Sequence, residues 1–153
     1  MAQHQQMPCD DASFWLEIDK ANAIAEGDAP IVVPDEVKRT CGAAHARLQR
    51  AIKERRHIYG VTTGFGPLAN RLIDPANGVT LQQNLVHHLA TGQGTPFDWA
   101  TGRAIVLARL NSILQGYSGA SARTIDALVT VLNSPLAPAM PSRGTVGASG
   151  DLT

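Results

Sequence analysis

The sequence predicts a mainly α-helical protein with a few short strands and a glycine-rich loop near its end. Three observations predict this. Apolar residues recur at three- and four-residue spacings over long stretches, as they must on one face of a helix. The β-branched runs are only a few residues long. Glycine and proline, which oppose helix, cluster in two segments, 59–67 and 135–150.

Residues 1–12 read as a flexible polar tail, and residues 13–153 as the folded part. Phe14-Trp15-Leu16-Glu17-Ile18 is a short strand candidate. Asp19 is placed to cap a helix reaching Ala25, which Gly27 would end. Ile31-Val32-Val33 is a second strand candidate, closed by Pro34. From Asp35, the apolar residues Val37, Cys41, Ala44, Leu48 and Ala51 mark one helical face reaching about Arg56. The opposite face carries Lys38, Arg39, Arg47, Arg50, Lys53, Glu54 and Arg55, which reads as a solvated surface because no aromatic residue interleaves it.

The glycines of Tyr59-Gly60-Val61-Thr62-Thr63-Gly64-Phe65-Gly66-Pro67 break helix there. Leu81, Leu85 and Leu89 then stack at i, i+4, i+8 on a helix over 80–90. A longer helix over 99–114 places Ile105, Leu107, Leu110, Ile113 and Leu114 too widely for one stripe, which predicts a central helix. Ser121 caps a further helix carrying Ile125, Leu128, Val129 and Leu132. Pro135, Pro138 and Pro141 predict irregular chain from there to the terminal loop, Gly144 to Thr153. Because nothing follows that loop to pack against it, the 153 residues read as the N-terminal part of a longer protein.

Composition excludes several function classes. Lys plus Arg and Asp plus Glu balance at 13 each, so no global charge draws the chain to nucleic acid or an acidic membrane. A composition of 44% hydrophobic and 17% charged residues predicts a globular chain with much buried or intersubunit surface. Cys9 and Cys41 are too few for a disulfide framework or a cysteine-built metal site. No apolar run reaches transmembrane length, and Met1–Asp11 lacks the pattern of a signal peptide, so a cytoplasmic location is expected.

Three groups of residues bear chemistry. In Ala148-Ser149-Gly150, the Gly150 nitrogen is unhindered and Ala148 does not crowd its own carbonyl. Attack of that nitrogen on that carbonyl, with loss of one water, closes a five-membered ring; loss of the Ser149 hydroxyl as a second water leaves an electrophilic methylene. The competing reading of a bare Ala-Ser-Gly is a plain turn. Phosphate cradling is a weaker reading still, because neither GxxxxGK[ST] nor a strand-to-helix GxGxxG is present. Tyr59 is a candidate general base or an ordinary half-buried aromatic. Asn84 and His88 share a helix face at i, i+4, and His87 points elsewhere. Neither histidine has a metal-type partner at i+4, so His88 is a core histidine or a hydrogen-bonding contact for a polar substrate tip.

Four blocks carry a resemblance to a known family: Tyr59 to Gly66, Leu81-Gln82-Gln83-Asn84-Leu85-Val86-His87-His88, Asn111-Ser112 with Gly116-Tyr117-Ser118-Gly119, and Gly144 to Leu152. In this order and spacing the chain resembles the aromatic amino acid lyases and aminomutases, a family that includes histidine, phenylalanine and tyrosine ammonia-lyases. The resemblance implies that Ala148, Ser149 and Gly150 form the prosthetic group 4-methylidene-imidazole-5-one, with no external cofactor and no metal. It implies that Tyr59 is the lid tyrosine that removes the substrate β-proton, that Gly60 lines the pocket beside it, and that His88 and Leu89 contact the substrate ring. A His-Leu pair, with Gly66-Pro67-Leu68-Ala69-Asn70-Arg71-Leu72 and Pro141-Ser142-Arg143, resembles the family's tyrosine-specific bacterial members.

The resemblance thus implies elimination of ammonia from L-tyrosine to give trans-4-coumarate, by addition of either the amine or the ring to the methylidene, in a homotetramer. Aminomutation of tyrosine and elimination from histidine are the alternatives within the family. A non-catalytic helical interaction module is the alternative outside it. The family's carboxylate-binding arginine lies beyond residue 153, so the 153 residues alone are expected to be inactive. None of Arg71, Arg103, Arg109, Arg123 and Arg143 has a reason to replace it.

Overall fold

The computed structural model describes residues 16–144. They form helices α1 (Ile18–Glu26), α2 (Asp35–Lys53), α3 (Gly78–Leu89), α4 (Trp99–Leu114) and α5 (Ala122–Leu132), with strands β1 (Gln93–Pro96) and β2 (Pro141–Arg143). Two short 3-10 turns, Gly66–Leu68 and Pro75–Asn77, precede α3. The protein is mainly helical, as the periodicities require. It divides into two compact units, and α2 and α4 each supply residues to both.

The first unit comprises residues 16–45 with 104–136 and holds a hydrophobic core. Ile24 of α1, Ile31 and Val33 of the following extended chain, and Val37, Cys41 and Ala44 of α2 are buried there. So are Val106, Leu107, Leu110 and Leu114 of α4, and Ile125 and Leu132 of α5. The two ends of this core are set by local chemistry. Gly27 takes φ +84 to end α1, and Asp28 N–H closes back to the Ala23 carbonyl at 2.8 Å. Ser121 begins α5 by accepting the Thr124 N–H at 3.2 Å. The start of α2 lies against the end of α4: Cys41 Sγ sits 3.7 Å from the Ile113 carbonyl. His45 Nδ1 donates to the Gly119 carbonyl at 2.8 Å.

The second unit comprises residues 46–103 with 137–144. Here β1 and β2 form a two-stranded antiparallel sheet with Gln93 opposite Arg143 and Pro96 opposite Pro141. Gly94, at φ +87, lets the strands close: a Cβ there would stand 2.8 Å from Ser142 Oγ. Arg103 of α4 is buried and stacks over the Trp99 ring at 4.5 Å.

Several sequence expectations need correction. Ile18 begins α1 instead of ending a strand, and Phe14 and Trp15 lie outside the described residues. Asp19 stands in the first turn of α1 while Glu17 occupies the N-cap. Residues 31–33 belong to no strand and have no strand partner among the described residues. Helix α2 stops at Lys53, where Arg55 turns to φ +55. The proline-rich stretch does contain regular structure, β2, and Pro141 opens it where a missing N–H costs least. Helix α4 buries one stripe and leaves Ile105 37% exposed, so it is not enclosed on all sides among the described residues. The basic residues of α2 are exposed, as expected.

Candidate active site

The glycine-rich segment folds back on itself through its hydroxyl residues. Thr62 Oγ1 accepts the Ile58 N–H at 2.8 Å and donates to the Arg56 carbonyl. Thr63 Oγ1 accepts the Gly60 N–H at 3.3 Å and donates to the Gly64 carbonyl at 3.0 Å. Both threonines are buried, so these bonds replace the water their backbone partners lose. The return strand is tied in by Ile73 N–H to the Thr62 carbonyl at 2.8 Å, with an isolated antiparallel bridge between Thr63 and Leu72.

This knot presents Tyr59 at the surface, 63% exposed. Its hydroxyl oxygen accepts the Gly66 N–H at 3.1 Å, and its ring meets Phe65 edge-on at 6.0 Å between centroids. Gly60 follows at φ +69 and is buried. A Cβ on it would come within 2.5 Å of Phe65 Cε1. Only glycine meets both conditions without strain.

Helix α3 carries His88 and Leu89 in its last turn, His88 exposed and Leu89 half-buried. Asn84 and His87 are exposed as well. A hydrogen bond joins the two segments: Gln82 Nε2 donates to the Gly60 carbonyl at 2.6 Å. Beside it lies a cleft of about 470 Å³, lined by Ile52, Val61, Ile73, Val79 and Gln82 among others. Gly60 belongs to its wall, whereas Tyr59, His88 and Leu89 do not. The described residues therefore bring Gly60, the residue after Tyr59, to α3. Ala148, Ser149 and Gly150 lie outside the described residues. Gln82 stands in a block already singled out in the sequence, but no spacing rule assigns it a partner 22 residues upstream.

Among the described residues no group of three or more His, Cys, Asp or Glu side chains is placed to hold a metal ion. No helix among them is long and apolar enough to cross a membrane. The basic side chain most nearly removed from solvent, Arg103, is engaged with Trp99.

The family model described as aromatic amino acid lyase matches residues 16–153. The chain belongs to the aromatic amino acid lyase family. It is 57% identical over all of its 153 residues to the tyrosine ammonia-lyase of Cereibacter sphaeroides, and covers 29% of that protein. It is 39% identical over 137 residues to the histidine ammonia-lyase of Streptococcus gordonii, covering 90% of this chain and 27% of that protein. Among solved structures, the tyrosine aminomutase of Streptomyces globisporus superposes with a TM-score of 0.83 at 31% identity, over 88% of this chain and 26% of that one. The chain thus spans less than a third of the length of these family members.

Proposed function

We propose that the full-length protein is an ammonia-lyase that eliminates ammonia from L-tyrosine to give trans-4-coumarate. The observation that carries this reading is the 57% identity to a tyrosine ammonia-lyase across the whole chain. The His88-Leu89 pair on α3 supports the choice of tyrosine.

The residue types at 148–150 fit the prosthetic group: Gly150 supplies the attacking nitrogen, Ala148 the carbonyl and Ser149 the hydroxyl that leaves. Once formed, the methylidene-imidazolone supplies the electrophile that no standard side chain offers. The remaining work falls to side chains of the fold. Tyr59, exposed and oriented by the Gly66 N–H, takes the β-proton on its phenol oxygen. Gly60 lines the pocket beside it, and its lack of a Cβ lets the Phe65 ring pack against the turn that carries Tyr59. His88 hydrogen-bonds the substrate phenol, and Leu89 packs on the ring. A site built around that hydrogen bond rejects phenylalanine, because its own polar group would go unpaired.

In this reading the protein works in the cytoplasm as a homotetramer. The uncovered apolar residues of α3, Val79 and Val86, accord with further chain packing there. Tyrosine aminomutation is the second reading, favoured by the likeness to the aminomutase structure.

The test gives L-tyrosine to the purified full-length protein while the near-ultraviolet band of coumarate and released ammonia are followed. Equal amounts of olefin and ammonia support the lyase, and Tyr59→Phe then abolishes most turnover while the prosthetic group still forms. Accumulation of β-tyrosine instead of coumarate establishes the aminomutase. Urocanate from histidine, with no product from tyrosine, overturns the tyrosine assignment.

A further inference from the structure

We propose that Gln82 is a positioning residue that holds the Tyr59–Gly60 turn against α3 and so sets where Tyr59 stands relative to His88. The inference rests on the ammonia-lyase reading of Tyr59 and His88 and gives a role to a residue that the Leu81–His88 block contains without assigning it one.

Three observations carry it. First, the Gly60 carbonyl is aimed at α3 by a backbone conformation, φ +69, that its neighbours enforce: its N–H is held by Thr63 Oγ1, and Phe65 occupies the space where a Cβ would be. Second, Gln82 Nε2 meets that carbonyl at 2.6 Å. A carbonyl only accepts, so the amide nitrogen must face it, and the orientation of the carboxamide follows. Third, side-chain packing between the turn and α3 is incomplete. The cleft of about 470 Å³ opens between the turn and α3, and α3 has no buried residue along its length among the described residues. The Gln82–Gly60 hydrogen bond beside that gap is then a main determinant of the separation.

The link extends to the substrate contact through the helix. Gln82 and His88 are six residues apart on α3, about 9 Å along its axis. A helix is stiff over that distance, so fixing Gly60 to Gln82 places Tyr59, the preceding residue, in register with the group that grips the substrate ring. Loss of the bond lets the base drift from the β-carbon without removing any substrate contact. The expected signature is a fall in kcat with little change in KM.

The test compares Gln82→Leu and Gln82→Glu with wild type in the full-length protein, using L-tyrosine, with the adjacent Gln83→Leu as a control. Gln82→Leu is expected to lower kcat by about 10- to 100-fold, the scale of a misplacement near 1 Å. Its KM, melting temperature and prosthetic-group absorbance should stay near wild type. Gln82→Glu keeps the shape but repels the Gly60 carbonyl when ionised and donates to it when protonated. Its activity relative to Gln82→Leu should therefore rise as pH falls through the new carboxyl's titration.

A Gln82→Leu kcat within about twofold of wild type, or identical pH profiles for the two variants, overturns the proposal. Amide hydrogen exchange over residues 58–66 gives a readout independent of turnover: it should quicken in Gln82→Leu, and unchanged exchange also overturns the proposal. If the wild-type protein eliminates ammonia from no aromatic amino acid, the functional reading fails on its own. The exchange measurement then still decides whether Gln82 holds the turn.

Discussion

The carboxamide of Asn133 pairs with the backbone of Ile31 in both directions. Its Oδ1 accepts the Ile31 N–H at 2.9 Å, and its Nδ2 donates to the Ile31 carbonyl at 3.0 Å. The side chain thus presents to Ile31 the donor and acceptor that a neighbouring strand would present, from a residue that ends α5 and lies 102 positions away. This is how the backbone of buried Ile31 is satisfied without a neighbouring strand. Asn133→Ala removes both partners from a residue that is 2% exposed, and should cost about 1–3 kcal/mol in a urea titration. Asn133→Asp keeps the acceptor but sets a carboxylate against the Ile31 carbonyl, so it should not restore wild-type stability.

Two glycines predict opposite outcomes for the same substitution. Gly60→Ala places a side chain at φ +69 and against Phe65, which should cost about 1–2 kcal/mol from the left-handed backbone alone. It should also lower turnover by displacing Tyr59. Gly42 lies inside α2 with nothing within 4 Å of an added Cβ, so Gly42→Ala should stabilise by about 0.5–1 kcal/mol. Thermal melts of the two variants check both signs.

His88→Phe tests the source of substrate choice. With the hydrogen-bonding group gone, the ratio of kcat/KM for tyrosine over phenylalanine should fall by at least about tenfold. Unchanged relative kcat/KM for the two substrates would show that His88 does not read the phenol.

Asp98 contributes a pH-dependent cap to α4. Its carboxylate accepts the Thr101 N–H at 2.8 Å and the Thr101 hydroxyl at 3.0 Å, and these bonds hold its pKa below the ordinary 3.8. A group whose folded pKa is depressed stabilises fully above its unfolded value. That contribution disappears as pH falls through the lower folded value. Wild type should therefore melt higher than Asp98→Ala near neutrality, with the difference shrinking in acid below pH 3.8. A constant difference across that window would assign the effect to something other than the ionised cap.

Cys41 should be inert in the native protein. It is buried in the first unit, and burial pushes its thiol above the usual cysteine value. A thiol reagent at neutral pH should leave the peptide containing Cys41 unmodified, and modification should rise only as denaturant unfolds the chain. Mass analysis of that peptide makes the comparison.

The four longer helices and their main punctuation were legible in the sequence because their causes are local. Periodicity placed α2 to α5 within a few residues, Gly27 ended α1 and Ser121 began α5. The family was legible too, since its blocks are contiguous runs of residues and the match spans residues 16–153. What only the tertiary structure decided are relations between distant positions. Whether Ile31–Val33 joins a sheet depends on what reaches its backbone, and Asn133 does. Whether Pro141–Arg143 is regular depends on β1 lying beside it. That Gln82 grips Gly60 depends on a knot of threonine bonds that aims one carbonyl at α3. A helix satisfies its backbone within one or two turns, so its sequence specifies it. A strand, or a lone carbonyl at a site, is satisfied by whatever the rest of the fold brings within 3 Å.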